Sequence, residues 1–236
     1  MRSVEGGLVT PGDANGVARV ISATRFEPFL KACQGDHAAA ERLYAWDGEA
    51  ARALWSPVRD LEVSLRNALH QQLSGKWAQQ GQEWYETRPP NDWGCDEIEA
   101  AKTKLRKRGR RYGPDDVVAE LSFGFWTSLL SNGGKGKHYE TWYWSPSLQY
   151  LFRQHRGPKG RAQLHARLGY VQTLRNRIAH HERIFHRDLN KDYNTTLELL
   201  RLVAPSLAAD HDDYSQVSAV LARRAAVVAG LAPIRL

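Results

Sequence analysis

Cysteine is scarce in this chain, with only Cys33 and Cys95. Two thiols can build neither a disulfide scaffold nor a cysteine zinc site, and such low usage fits a reducing compartment. Long apolar runs are missing as well: none approaches the roughly 20 residues that a membrane span needs. The opening MRSVEGGLVTPGDANG has no apolar h-region, so no secretory leader is read and a soluble, cytoplasmic protein without a membrane partner is expected. Strand-type alternation is sparse, and neither a repeat period nor a low-complexity tract is visible. What is present is ordinary for a globular protein: 236 residues, 42% apolar and 25% charged. A chain of this length buries about 70% of its unfolded surface, enough for a core without staples.

The 33 basic and 26 acidic side chains leave a formal charge of +7. Much of the excess lies in one stretch, 102–111, where Lys102, Lys104, Arg106, Lys107, Arg108, Arg110 and Arg111 occur with no acidic residue among them. One reading is a solvated helix face running into a loop. The other is a surface that contacts the phosphate backbone of RNA.

From Thr24 onward the apolar spacing is helical almost throughout, which predicts an all-α fold. Residues 1–21 read as a flexible lead-in and 22–236 as a single domain. Asp36 suits an N-cap for a helix to about Trp55, and Pro57 the first turn of a second helix to about Trp77. A tryptophan-rich connector, 78–95, reads as a structured loop. Further helices are expected over 96–108, from Pro114 through Leu129, from about Lys159 to Phe185, over 193–203 and over 214–231. Trp46, Trp55 and Trp126 fall on apolar stripes. Trp142 and Trp144 suit either the core or stacking against unpaired bases.

Two motifs fail on spacing. Lys135-Gly136-Lys137 lacks the glycine spacing and the preceding strand of a phosphate loop. His181, Glu182 and His186 place the histidines five apart, about 140° around a helix, where a zincin needs four. No metal site and no cofactor are assigned.

The segment Leu174-Arg-Asn-Arg-Ile-Ala-His-His-Glu-Arg-Ile-Phe185 is dense in polar chemistry. On a continuous helix Asn176 and His180 are neighbours on one face, and Arg175 and Glu182 nearly align two turns apart. Arginine supplies a permanently charged fork for a phosphate, and histidine exchanges a proton near neutrality. Those groups suffice for metal-free RNA cleavage by the ribose 2′-hydroxyl. The same residues also suit a polar network that fixes helix register.

Arg175-Asn176, three residues, then His180 is similar to the Arg-x4–6-His motif of HEPN domains. Together with Tyr44-Ala-Trp46, Leu61-Glu-Val-Ser-Leu-Arg-Asn-Ala-Leu-His70 and Phe123-Gly-Phe-Trp-Thr-Ser-Leu129, it resembles the Abi-like (AbiD/AbiF-type) abortive-infection proteins of bacteria. The resemblance spans about residues 40–190; residues 190–236 match none of its motifs. It implies a HEPN-like helical bundle with additional helices. It also implies a metal-independent endoribonuclease in anti-phage abortive infection, or a toxin, with a homodimer and an antitoxin or other defence protein as partners. Carried over by position, Arg175 and His180 are the catalytic pair and Asn176 orients the site. His181 also meets the permitted spacing, so either histidine could transfer the proton. Glu62, Arg66 and His70 stand at four-residue steps with Asn67 beside Arg66. They form either an intrahelical ion pair with a part-buried histidine, or, with Glu182, a supporting shell in which Glu62 holds Arg66 or Arg175. The competing functions are a non-catalytic RNA-binding or sensing module and a structural dimerisation domain using the same polar helix.

Overall fold

The computed structural model describes residues 20–109 and 111–235. The expected lead-in therefore lies mostly outside the described residues, as does Arg110. In chain order the helices are α1 (Ala23–Ala32), α2 (His37–Trp77), α3 (Trp84–Thr87), α4 (Asp92–Lys107), α5 (Pro114–Glu120) and α6 (Phe123–Ser128). A π-helical turn (Glu140–Trp144) and a 3₁₀ turn (Leu148–Tyr150) precede α7 (Gly157–Ala179). The series ends with α8 (Leu189–Val203), α9 (Pro205–Tyr214), α10 (Val217–Ala222) and α11 (Arg224–Val228). No strand is present among the described residues beyond an isolated bridge between Gln79 and Gln82, so the fold is all-α.

Two compact units are distinguishable. The smaller comprises the described parts of Met1–Ala53 and Gln216–Leu236. Asp36 caps α2 as its sequence suggests, its Oδ1 accepting the Ala39 amide at 3.0 Å. Phe26, Phe29, Leu43, Trp46 and Val220 are buried here. The Trp46 indole N–H donates to the Val220 carbonyl at 2.9 Å, and Arg223 reaches the buried Glu49 at 3.1 Å.

The larger unit is Leu54–Ser215. Its core joins Leu61, Leu65, Leu69 and Leu73 of α2 to Trp84, Trp126, Tyr143 and Trp144, and to Leu164, Leu168, Val171 and Leu174 of α7. Trp55 departs from expectation: at 37% exposure it lies outside the core. The structured reading of the connector holds, since Trp84 and Tyr85 are buried within it.

Several boundaries differ from the periodic reading. The one helix expected from Pro114 through Leu129 is broken at Leu121 and Ser122, where the Ser122 side chain caps a new helix, into α5 and α6. Pro57 starts no new helix; α2 runs through it. A proline inside a helix removes one hydrogen bond and crowds the preceding turn, at a cost of about 3 kcal/mol. Complete burial of Leu54 and Val58 on either side offsets that cost. Pro205 opens α9 at a position that the sequence reading passed over, and the single helix expected over 214–231 is broken into α10 and α11. A further difference, the end of α7, shapes the candidate site.

Candidate active site

Helix α7 stops at Ala179, six residues short of the expected Phe185. His180 is its C-cap and His181 takes the left-handed conformation, φ 55°. The His181 amide donates to the Ile178 carbonyl at 3.1 Å and the Glu182 amide to the Arg177 carbonyl at 2.7 Å. This is a Schellman motif with histidine in the place that glycine usually fills. Histidine tolerates that region better than most side chains, so the stop leaves no glycine signal in the sequence.

The consequence falls on Glu182. It lies beyond the helix, so its alignment with Arg175 is lost, and it pairs instead with Arg177 at 3.3 Å. Asn176 and His180 do share a face: the His180 amide donates to the Asn176 carbonyl at 2.9 Å, and both side chains are exposed. His181 follows them on the surface, turned by its positive φ.

Arg175 is half-buried and held from α2. Its Nε lies 3.0 Å from Glu62 Oε2 and its NH2 3.3 Å from Oε1, a two-point fork. Its NH1 faces Asn176 Oδ1 at 3.5 Å. Such a pairing fixes the guanidinium plane and leaves one edge toward the exposed helix end. Glu62 thus contacts Arg175 and not Arg66. One turn on, Arg66 points its Nε at Asn67 Oδ1 and its NH1 at the Ala119 carbonyl, both at 3.4 Å.

His70 turns away from this group. Its Nδ1 accepts the indole N–H of the buried Trp84 at 3.1 Å, and Ser74 Oγ lies 3.5 Å from the same nitrogen. Burial holds the imidazole below its ordinary range, against the opposing pull of Glu83 and Asp115. The geometry makes His70 a packing and hydrogen-bonding group of the connector, remote in role from Arg175.

The loop after α7 is tied down by its own apolar residues and by an ion pair that the spacing does not indicate. Ile184 and Phe185 are buried. Arg187 forks onto Asp192, with Nε to Oδ2 at 2.8 Å and NH2 to Oδ1 at 2.6 Å, and its guanidinium lies over the Tyr170 ring. Asp192 is fully buried. The buried Arg161 satisfies Glu140, the Leu130 carbonyl and Asn132 Oδ1, each at 2.7 Å.

The basic run meets acid from its own helix and from other segments. Lys102 pairs with Glu99 at 3.0 Å and Glu86 at 3.7 Å, and Arg106 with Glu99 at 3.5 Å. Lys104 pairs with Glu120, and Arg108 reaches the same carboxylate at 2.8 Å. These cations hold Glu99 and Glu120 below the usual carboxylate range, Lys102 acting most on the first and Lys104 on the second. Lys107 and Arg111 are exposed without a carboxylate partner among the described residues. Of the two candidate stacking tryptophans, Trp144 is fully buried and Trp142 half-buried.

Among the described residues no three His, Cys, Asp or Glu side chains gather as a metal site, and no helix is long and apolar enough to cross a membrane. What the α7 terminus can do chemically is present a fixed cation beside two exposed imidazoles. No family model, no curated protein and no solved structure matches the chain.

Proposed function

We propose that the chain is a metal-independent endoribonuclease of the HEPN type, acting in anti-phage abortive infection or as a toxin. The observation that carries this reading is the Arg175–Glu62 fork beside the exposed end of α7, where Asn176, His180 and His181 lie. In the proposed reaction His180 or His181 accepts the ribose 2′-hydroxyl proton. The 2′ oxygen attacks the adjacent phosphorus, and Arg175 stabilises the charge that builds on the phosphoryl oxygens. The bond to the 5′ oxygen breaks, that oxygen takes a proton from solvent, and the histidine returns the proton it accepted to solvent. The products are a 2′,3′-cyclic phosphate and a 5′-hydroxyl. A homodimer and an antitoxin or other defence protein are proposed as partners on the family resemblance alone.

A second reading has its own observation. Arg175, Arg177 and Arg187 are each paired with a carboxylate, which suits a polar network that binds RNA without cutting it, or that shapes an interface. Labelled total RNA incubated with the protein in excess EDTA separates the readings. Cleavage to cyclic phosphate ends, abolished in folded Arg175→Ala and His180→Ala variants, is the expected result. Intact RNA, or cleavage strictly dependent on added divalent metal, would defeat the proposal.

A further inference from the structure

Four cations of the 102–111 run are engaged by glutamates, which leaves Lys107 and Arg111 exposed there, and a second group of cations lies elsewhere. Arg88 follows α3 as its C-cap. Its guanidinium carbon lies 3.5 Å from the centre of the Trp142 ring and 5.5 Å from that of Trp77. The backbone around it is pinned. The Tyr143 hydroxyl donates to the Arg88 carbonyl at 2.7 Å, and the Trp142 indole N–H and Lys137 Nζ donate to the Pro89 carbonyl at 3.1 and 2.7 Å. Lys137 Nζ is itself 4.9 Å from the Trp142 ring centre.

So placed, the guanidinium nevertheless finds no hydrogen-bond acceptor among the described residues. Its Nε is buried without a partner. An arginine carries five N–H donors, and leaving buried donors unmade costs free energy unless something else accepts them. Stacking on indoles orders the fork in advance, which is the arrangement that suits a planar, two-point grip on phosphate. Lys135 and Lys76 are exposed, and no carboxylate stands within ion-pairing distance of either, of Lys137 or of Arg88 among the described residues. On the α4 side the field is mixed, because Asp92 and Asp96 act with Lys137 on the Cys95 thiol. Lys76 precedes Trp77 directly in the chain, and Lys135 stands two positions before Lys137.

We propose that this surface, built from Arg88, Lys137, Lys135 and Lys76 around Trp142 and Trp77, carries the phosphate backbone of a single RNA strand. The guanidinium of Arg88 takes one phosphate by two N–H bonds, and the lysines neutralise its neighbours. The choice of RNA among polyanions rests on the ribonuclease reading; the anion-gripping geometry does not.

The test uses the full chain and a short fluorescein-labelled 2′-O-methyl oligoribonucleotide, which cannot be cut by 2′ attack, with anisotropy read across a salt series. Arg88→Gln and Lys135→Glu should each raise Kd by about threefold to tenfold. Together they should flatten the slope of log affinity against log salt by about 1.4, at about 0.7 per single-strand phosphate contact. The Lys107→Glu/Arg111→Glu variant should change Kd by less than either. Arg88→Gln could unsettle the tryptophans, so Lys135→Glu, a change at an exposed side chain, keeps the test independent of folding. The proposal is overturned if the Lys107/Arg111 variant loses as much affinity, if the Arg88 and Lys135 variants bind like the parent, or if the parent binds no RNA. Competition by polyglutamate equal to that by RNA would overturn it in favour of an acidic protein partner. RNA held by this surface but left uncut would remove the nuclease reading and leave this one standing. RNA cut equally well by the surface variants, with unchanged Kd, would do the reverse.

Discussion

Glu62 and Arg175 stand 113 positions apart and meet as a two-point fork. Both are partly exposed, so the pair contributes at most about 1 kcal/mol to stability. Its larger effect is to fix where the guanidinium points. Glu62→Gln should therefore leave the denaturation midpoint nearly unchanged while slowing single-turnover RNA cleavage about tenfold or more. An unchanged rate would remove Glu62 from any positioning role. At His70 the expected effect is on stability instead. Its folded pKa is lowered by burial from the ordinary 6.5, so below that value the unfolded chain binds more protons than the folded one. The contribution is fully present above 6.5 and is lost as pH falls toward the folded value. His155, His165 and His186 are shifted the same way, each chiefly by burial. His70→Gln should reduce, not abolish, the fall in unfolding free energy between about pH 7 and pH 5. A slope equal to the parent's would contradict the assignment. The polar residue types of the site were visible in the sequence, because arginine and histidine at helical spacing are conspicuous among leucines. The choice of Arg175 over Arg66 as the partner of Glu62 was not, because spacing along one helix says nothing of which neighbour comes opposite.

Helix ends were harder to read than helix middles. The apolar period carries α7 faithfully through Leu164, Leu168, Val171 and Leu174, all buried. It then misleads, since Ile184 and Phe185 are buried from a loop and not from a helix. The stop at His181 depends on backbone bonds and a positive φ that the sequence His-His does not announce. That loop is secured by Arg187 on the fully buried Asp192. Replacing Arg187 by Met would strand a buried carboxylate, at a cost of about 3–5 kcal/mol. The double variant Arg187→Met/Asp192→Leu should recover much of that loss, because it removes the stranded charge. Urea unfolding of the three proteins checks both statements. A single variant as stable as the parent would show that the pair does not anchor the loop. Proline carried opposite meanings at two places: Pro57 is absorbed inside α2, whereas Pro205 opens α9.

At the scale of the molecule, residues 216–235 complete the smaller unit rather than trailing from it. Val220 accepts from Trp46, and Arg223 satisfies Glu49, which is only 4% exposed. Truncation after Ser215 should reduce hydrogen-exchange protection across 37–53 by about tenfold or more while residues 61–73 keep theirs, as expected when one cooperative segment loses its partners. Undiminished protection over 37–53 would show that the C-terminal helices add nothing there. Charge teaches a related lesson. Seven cations within residues 102–111 with no intervening acid read as a basic surface, but Glu86 and Glu120 come to them from outside the run. By itself the sequence determined the all-α class, the Asp36 cap, the apolar stripes of α2 and α7 and the clustering of Arg175, Asn176 and His180. Each of these depends on side chains within a turn or two of one another. Only the tertiary structure decided the left-handed end of α7, the Glu62–Arg175 and Arg187–Asp192 pairs, the partial pairing of the basic run and the unfilled fork of Arg88. Those outcomes depend on which distant groups folding brings within hydrogen-bonding reach, and that is set by packing across the whole unit.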